Sequence, residues 1–189
     1  MISEAKRYYK SDLHRYYAGE RRSIASVLSS GHQLPFLKAL RHARFGGNKL
    51  IRFLYRIRLR SLQKRTSMNI SWRTKIGKGF YIGHVGPIAV NENAVIGDNC
   101  NITFGVVIGA DNRNDRKGAP TIGDRVWIGT NAVVIGKITI GNDVLIAPGA
   151  FVNFDVPSHS IVIGNPGVIH KKENATAGFI SNIATEAAK

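Results

Sequence analysis

Six histidines and one cysteine are the side chains best suited to proton transfer or nucleophilic attack near neutral pH. Five of the histidines (His14, His32, His42, His159 and His170) lie before or towards the end of a repeated pattern that starts at residue 70; only His84 falls in its body. It stands in Tyr81-Ile82-Gly83-His84-Val85-Gly86, two residues beyond an aliphatic expected to point inward. That place faces outward, and the neighbouring glycines let a second molecule approach closely. Residue type and spacing leave two readings open, a general base or an ordinary surface histidine. Cys100 occupies an inward place of the same pattern, so it is expected to be a buried structural thiol and not a nucleophile. A single cysteine also excludes an intrachain disulfide framework.

The pattern that must carry His84 is a repeat of six. Aliphatic residues stand at Ile70, Ile76, Ile82 and Ile88, then Ile96, Ile102 and Ile108, then Ile122, Ile128, Val134, Ile140, Ile146 and Val152. A second small or apolar residue follows four later, as at Cys100, Val106, Val126, Ala132, Ile138, Val144, Ala150 and Val156. Two extra residues are read between Ile88 and Ile96, and a longer insertion, 111–120, between Ile108 and Ile122. A period of six fits neither a helix at 3.6 nor a simple alternating strand. It fits a triangular coil in which each hexad makes one flat face and one corner. Coils stack about 4.8 Å apart, as hydrogen-bonded strands do, and only stacking buries their interior. Thirteen hexads predict about four coils.

The charge is uneven. Residues 1–66 hold 16 of the 27 Lys and Arg against three acids, and the rest hold 11 against nine, within a net charge of +15. The chain therefore divides into a basic helical segment (1–66), a repeat domain (67–170) and a polar, Ala-rich tail (171–189) expected to fray. Within 3–66 helices are predicted around Tyr8–Tyr17, Leu34–Arg44 and Lys49–Arg65, with Gly46-Gly47 as a break. In the third, Arg52, Arg56, Arg60 and Lys64 form a row opposite Leu50, Ile51, Leu54, Ile57 and Leu62. Such a helix either packs on the repeat domain or another subunit, or lies on an anionic membrane surface. No nucleic-acid motif accompanies the charge, and nucleic acid is not an expected partner. No apolar run approaches the ~20 residues of a membrane span, and no apolar stretch follows the first charges. The expected location is the cytoplasm, with peripheral contact at the inner face of the membrane as an option.

The hexad series resembles the hexapeptide-repeat acyltransferases over about residues 69–172. That resemblance implies an all-β left-handed parallel β-helix behind a short N-terminal α-helical segment, and a homotrimer. Asn69 to His84, N-I-S-W-R-T-K-I-G-K-G-F-Y-I-G-H, is similar to the stretch of serine acetyltransferases that ends in their catalytic histidine. On that likeness His84 is the general base and acetyl-CoA the co-substrate, with no metal. Ala110, Gly129, Thr130, Ala147 and Pro148 match the groove for the pantetheine arm, with Gly149 keeping it shallow, and Lys171 and Lys172 would meet phosphates.

The departures are as informative. Where serine acetyltransferases carry acids, this chain has Gly83 and Asn69; where they carry an Arg and a second His before a Pro, it has Gly118 and Ala119. A serine ammonium would lose its carboxylate partner. The expected reaction is therefore acetylation of a sugar hydroxyl in capsular or exopolysaccharide biosynthesis, with free L-serine as the alternative acceptor and a non-catalytic scaffold as a third reading. Asn69 and the loop residues Asp111, Arg113, Asp115 and Arg116 are the candidate acceptor-binding groups. Asp111 or Asp115, from a neighbouring subunit, or Glu92 would orient His84.

Overall fold

The computed structural model describes residues 3–18 and 31–185; residues 1–2 and 19–30 of the expected helical segment and the last four tail residues lie outside them. Among the described residues three helices come first: α1 (Glu4–Tyr17), α2 (Gln33–Phe45) and α3 (Lys49–Thr66). The Asn48 side chain caps α3 by accepting from the Ile51 N–H at 2.8 Å. Fifteen strands follow, β1 (Met68–Ile70) to β15 (Val168–Lys171). Fourteen of them wind into a parallel triangular solenoid. Its first face is β1-β4-β7-β10-β13, its second β2-β5-β8-β11, and its third β3-β6-β9-β12-β14, with β15 added antiparallel. The first face thus counts five stacked strands, almost one coil more than the hexad count predicts.

Register corrects one expectation. Ile70, Ile76 and Ile82 pair with Val90, Ile96 and Ile102, each 20 positions on, whereas Val90 pairs with Ile108 after 18. The two extra residues therefore fall between Ile82 and Val90, not after Ile88. Alternate residues of a strand share a face, so Ile88 is buried as well and mimics the lead residue of a hexad. Its true partner is Met68. Ile96 pairs with Ile122, 26 positions on, so the longer insertion adds eight residues.

The first coil has no coil before it, and its strand edge must be satisfied otherwise. Inside the solenoid the lead carbonyls accept from the preceding coil, as Ile96 O does from Gly77 N and Ile102 O from Gly83 N. The equivalent carbonyls of the first coil accept from side chains: Ile70 O from Gln63, Ile76 O from Arg41 and Ile82 O from Tyr16. Arg15 adds bonds to Gly79 O and Asn101 Oδ1. The helices thus cap the open end of the solenoid.

In α3 the structure rearranges the expected faces. Leu59 and Leu62 are buried, and Arg56 turns to the Ala43 carbonyl and over the Trp72 ring, 3.6 Å from its centroid. Leu50, Leu54 and Ile57 face outward instead. The row of four cations is split because Arg52 and Arg56 lie on the flank next to α2 and the first coil.

The tail does not fray over its described length. Asp143 accepts from the Ala175 and Thr176 N–H groups and the Thr176 hydroxyl, and Phe179 packs on Trp127 with centroids 5.0 Å apart. Ser181 O then accepts from Arg15. A polar composition hid these anchors because the bonds go largely to backbone. Burial alone would raise the Asp143 carboxyl, but the bonds from Thr176, His159 and Ala175 outweigh it and hold the group below the ordinary carboxylate value. A depressed value stabilises docking above the free carboxylate pKa of about 3.9, and that contribution disappears as pH falls through the folded value. Acidification to below the folded value, itself under the free value of about 3.9, should therefore free the tail, and Asp143→Ala should free it at neutral pH. Fluorescence of Trp127 in a Trp72→Phe background reads this directly; an unchanged signal at neutral pH in Asp143→Ala would refute it.

Candidate active site

The corner after β3 is where the two-residue insertion falls. Five residues, Gly83 to Pro87, separate the inward-facing Ile82 and Ile88, against three, Thr103 to Gly105, in the next coil. The corner bulges, and His84 on it is exposed. Gly86 has φ 151°, and a Cβ there would overlap the Phe104 ring, so glycine is needed both for backbone and for space. Among the described residues His84 has no hydrogen-bond or ion-pair partner.

Successive corners stack along this edge of the prism: Gly83 N bonds to Ile102 O, Thr103 N to Ile128 O, Gly129 N to Ile146 O and Ala147 N to Val162 O. Counting two residues past each lead aliphatic gives a column of His84, Phe104, Thr130, Pro148 and Gly164. The expected pantetheine residues Gly129, Thr130, Ala147 and Pro148 therefore share one edge with His84. Gly149 (φ 72°) has no atom within 4 Å of a built Cβ, and Ala147 is small, so the edge is shallow beyond Thr130. A long thin thioester fits such a surface. No acidic or basic side chain other than His84 stands in these corners. Phe104, 40% exposed, is the wall residue that the sequence reading missed; the same count of two from Ile102 points to it.

Other expected residues lie elsewhere in the chain. Ala110 and the loop leave the edge between the first and second faces. There Asp111 bonds to Gly118 backbone, residues Asn114–Arg116 form a 3-10 turn, and Arg116 donates to Asn153 O. Arg113 and Asp115 are exposed on the loop. The Arg113 backbone N–H and guanidinium hold the Asp111 carboxyl below its ordinary value. Glu92 sits on this second edge too, bound by Arg73 and Ser71, so it does not orient His84 of its own chain. Asn69 is exposed on β1 and lines a cavity of about 480 Å³ with Trp72, Gln63, Arg56 and Arg60. One face separates the two edges, roughly 15–20 Å for six extended residues at about 3.3 Å each. Lys171 departs from expectation. It pairs with Ser160 at the start of β14, whereas the groove edge lies past Ile163 at its end. The antiparallel return of β15 carries it away. Lys172 continues in that direction, its N–H bonded to His159 O.

Cys100 is fully buried; burial pushes its thiol up to about 12, and it donates to Gly123 O at 3.1 Å. It is a structural thiol. Among the described residues no three His, Cys, Asp or Glu side chains gather as a metal site would require, and no helix is long and apolar enough to cross a membrane.

Comparison with known proteins places these features in context. Residues 119–153 match the family described as Bacterial transferase hexapeptide (six repeats). Serine acetyltransferase of Bacillus pumilus (strain SAFR-032) is 35% identical over 146 residues, 77% of this chain and 67% of that protein. Serine acetyltransferase 4 of Arabidopsis thaliana is 34% identical over 139 residues, 66% of this chain but only 39% of that protein. The chain thus spans between about two fifths and two thirds of these relatives. Among solved structures, the soybean serine acetyltransferase apoenzyme superposes with a TM-score of 0.73 at 29% identity, covering 88% of this chain and 69% of that one.

Proposed function

The chain belongs to the hexapeptide-repeat acyltransferases, in their serine acetyltransferase-like group, and from that membership we propose that it transfers an acetyl group from acetyl-CoA to a hydroxyl. The observation that carries the reading is the shared edge: an exposed imidazole at one end of a shallow column of Thr130, Ala147, Pro148 and Gly149. Acetyl-CoA supplies an activated acyl carbon and a good leaving group. His84 takes the proton of the hydroxyl as its oxygen bonds to the acyl carbon; the C–S bond then breaks, and the imidazolium returns the proton to the departing thiolate. Corner N–H groups left over from the bonds between coils offer donors where negative charge develops on the acyl oxygen. Phe104 and Gly86 fix the corner that holds the imidazole.

The acceptor-binding loop and His84 stand on different edges, so one chain alone supplies half a site. A homotrimer that sets the loop edge of one subunit against the His84 edge of the next completes it, with the neighbour's Asp111 or Asp115 beside the imidazole.

For the acceptor, the relatives favour free L-serine, since all those named above are serine acetyltransferases. None of those names refers to a polysaccharide, so the sugar reading draws no support from them. A neutral sugar hydroxyl remains the second reading because of specific residues: Gly83 puts no carboxylate for an ammonium on the His84 edge, and Asn69, Gly118 and Ala119, which lie away from that edge, carry no charge either. Thiol release from acetyl-CoA, followed with L-serine and with neutral saccharides in parallel, separates the two. Turnover with serine alone selects the first and turnover with saccharide alone the second. Absence of both, with no binding of acetyl-CoA, would leave only a scaffold and reject the proposal.

A further inference from the structure

The outward side of α3 is not explained by acetyl transfer. Leu50, Phe53, Leu54 and Ile57 are 65, 57, 55 and 54% exposed. Their spacing of three, one and three puts them in one stripe on the side opposite the buried Leu59 and Leu62. By the same helical period Lys49 and Arg60 border the stripe on one flank and Arg58 and Arg65 on the other, with Lys64 just beyond its end. All five cations are exposed, and none pairs with a carboxylate among the described residues. The helix contains seven Lys and Arg and no acid.

We propose that α3 docks this protein on an anionic lipid surface, with the stripe sunk at the level of the headgroups and the flanking cations at their phosphates. An apolar stripe bordered on both sides by long cationic side chains is what an interfacial helix requires, because the alkyl stems lie along the apolar face while the charges reach outward. Charge complementarity selects this occupant over a second copy. Two α3 helices packed stripe to stripe would bring five exposed cations against five with no acid between them, and like charges at an apolar contact oppose association. The surface is also well placed for use, since α3 leads directly into β1 of the coil that carries His84. The inference does not depend on whether the acceptor is serine or a saccharide.

Flotation of the full chain with phosphatidylcholine vesicles, with and without phosphatidylglycerol, tests it. The protein should float with the anionic vesicles only, and raising salt from 0.15 to 1 M should release it, as the screening length shrinks from about 8 to about 3 Å. Phe53→Glu/Ile57→Glu and, separately, Arg58→Glu/Arg65→Glu should each lower the bound fraction about tenfold without changing the oligomer seen by sedimentation velocity. Failure of the unaltered protein to float at low salt, or flotation that survives both double substitutions, would overturn the proposal. So would a smaller oligomer in Phe53→Glu/Ile57→Glu, which would assign the stripe to a subunit contact.

Discussion

Replacing His84 with Ala is expected to lower kcat by roughly 10²–10⁴-fold, the range a positioned general base supplies. The loss should fall on kcat and leave acetyl-CoA binding nearly unchanged. His84 stands at the first coil, whereas the small residues of the groove, Thr130, Ala147 and Gly149, lie in later coils. Initial rates of thiol release with whichever acceptor is turned over, paired with calorimetric titration of CoA, read the two quantities separately. The exposed imidazole makes no hydrogen bond or ion pair with a described residue, so the variant should also keep its unfolding midpoint. A variant that retains more than about a tenth of the rate would remove His84 from the chemistry. Mixed trimers sharpen the assignment. If Asp111 and Asp115 serve the neighbour's imidazole, a doubly substituted loop subunit and an His84→Ala subunit, each inactive alone, should regain activity when assembled together.

The prism was legible because burial repeats with the register: Ile96, Ile102, Ile122 and Ile128 are 1–2% exposed or less, and their period alone excludes helix and hairpin. Where structure and sequence part, the reason is geometric. Ile88 counted as a lead residue because both i and i−2 of a strand face inward, and this hid the most informative feature of the site, the lengthened corner under His84. The tail read as loose because its anchors, Asp143, Asn101 and Arg15, bond mainly to its backbone, and backbone bonds leave no compositional trace. The placement of Lys171 depended on β15 turning back antiparallel, which no hexad phase encodes. The outward apolar stripe of α3 could not be told from a core-facing one, since amphipathicity gives a helix two sides without saying which side meets the solenoid.

Removing the Asp12 carboxylate should cost about 3–5 kcal/mol of stability, the range for breaking a buried ion pair by deleting one partner. Asp12 and Arg41 are 0 and 2% exposed and joined by two bonds of 2.8 and 2.9 Å. Asp12 also accepts from Phe80 N at 2.9 Å. In Asp12→Ala the guanidinium stays buried, still held by the carbonyls of Ile76 and Gly77 at 2.7 and 2.6 Å, but without its counter-charge. Total stability for a domain is only about 5–15 kcal/mol, so the urea midpoint should fall steeply, or the helices should release from the first coil as a separate, earlier transition. Replacing both partners, as Asp12→Leu/Arg41→Met, should cost less than Asp12→Ala alone if the unpaired charge is the main penalty. The consequence reaches the site. Phe80, Tyr81 and Ile82 run straight into the Gly83–His84 corner, and the Tyr16 hydroxyl, one turn along α1 from Asp12, both donates to Ile82 O and accepts from Ile82 N. Undocking α1 therefore frees the strand that feeds His84, and activity should be lost at lower urea than solenoid structure. An Asp12→Ala protein that unfolds within about 1 kcal/mol of the original would show that the helices do not depend on this pair.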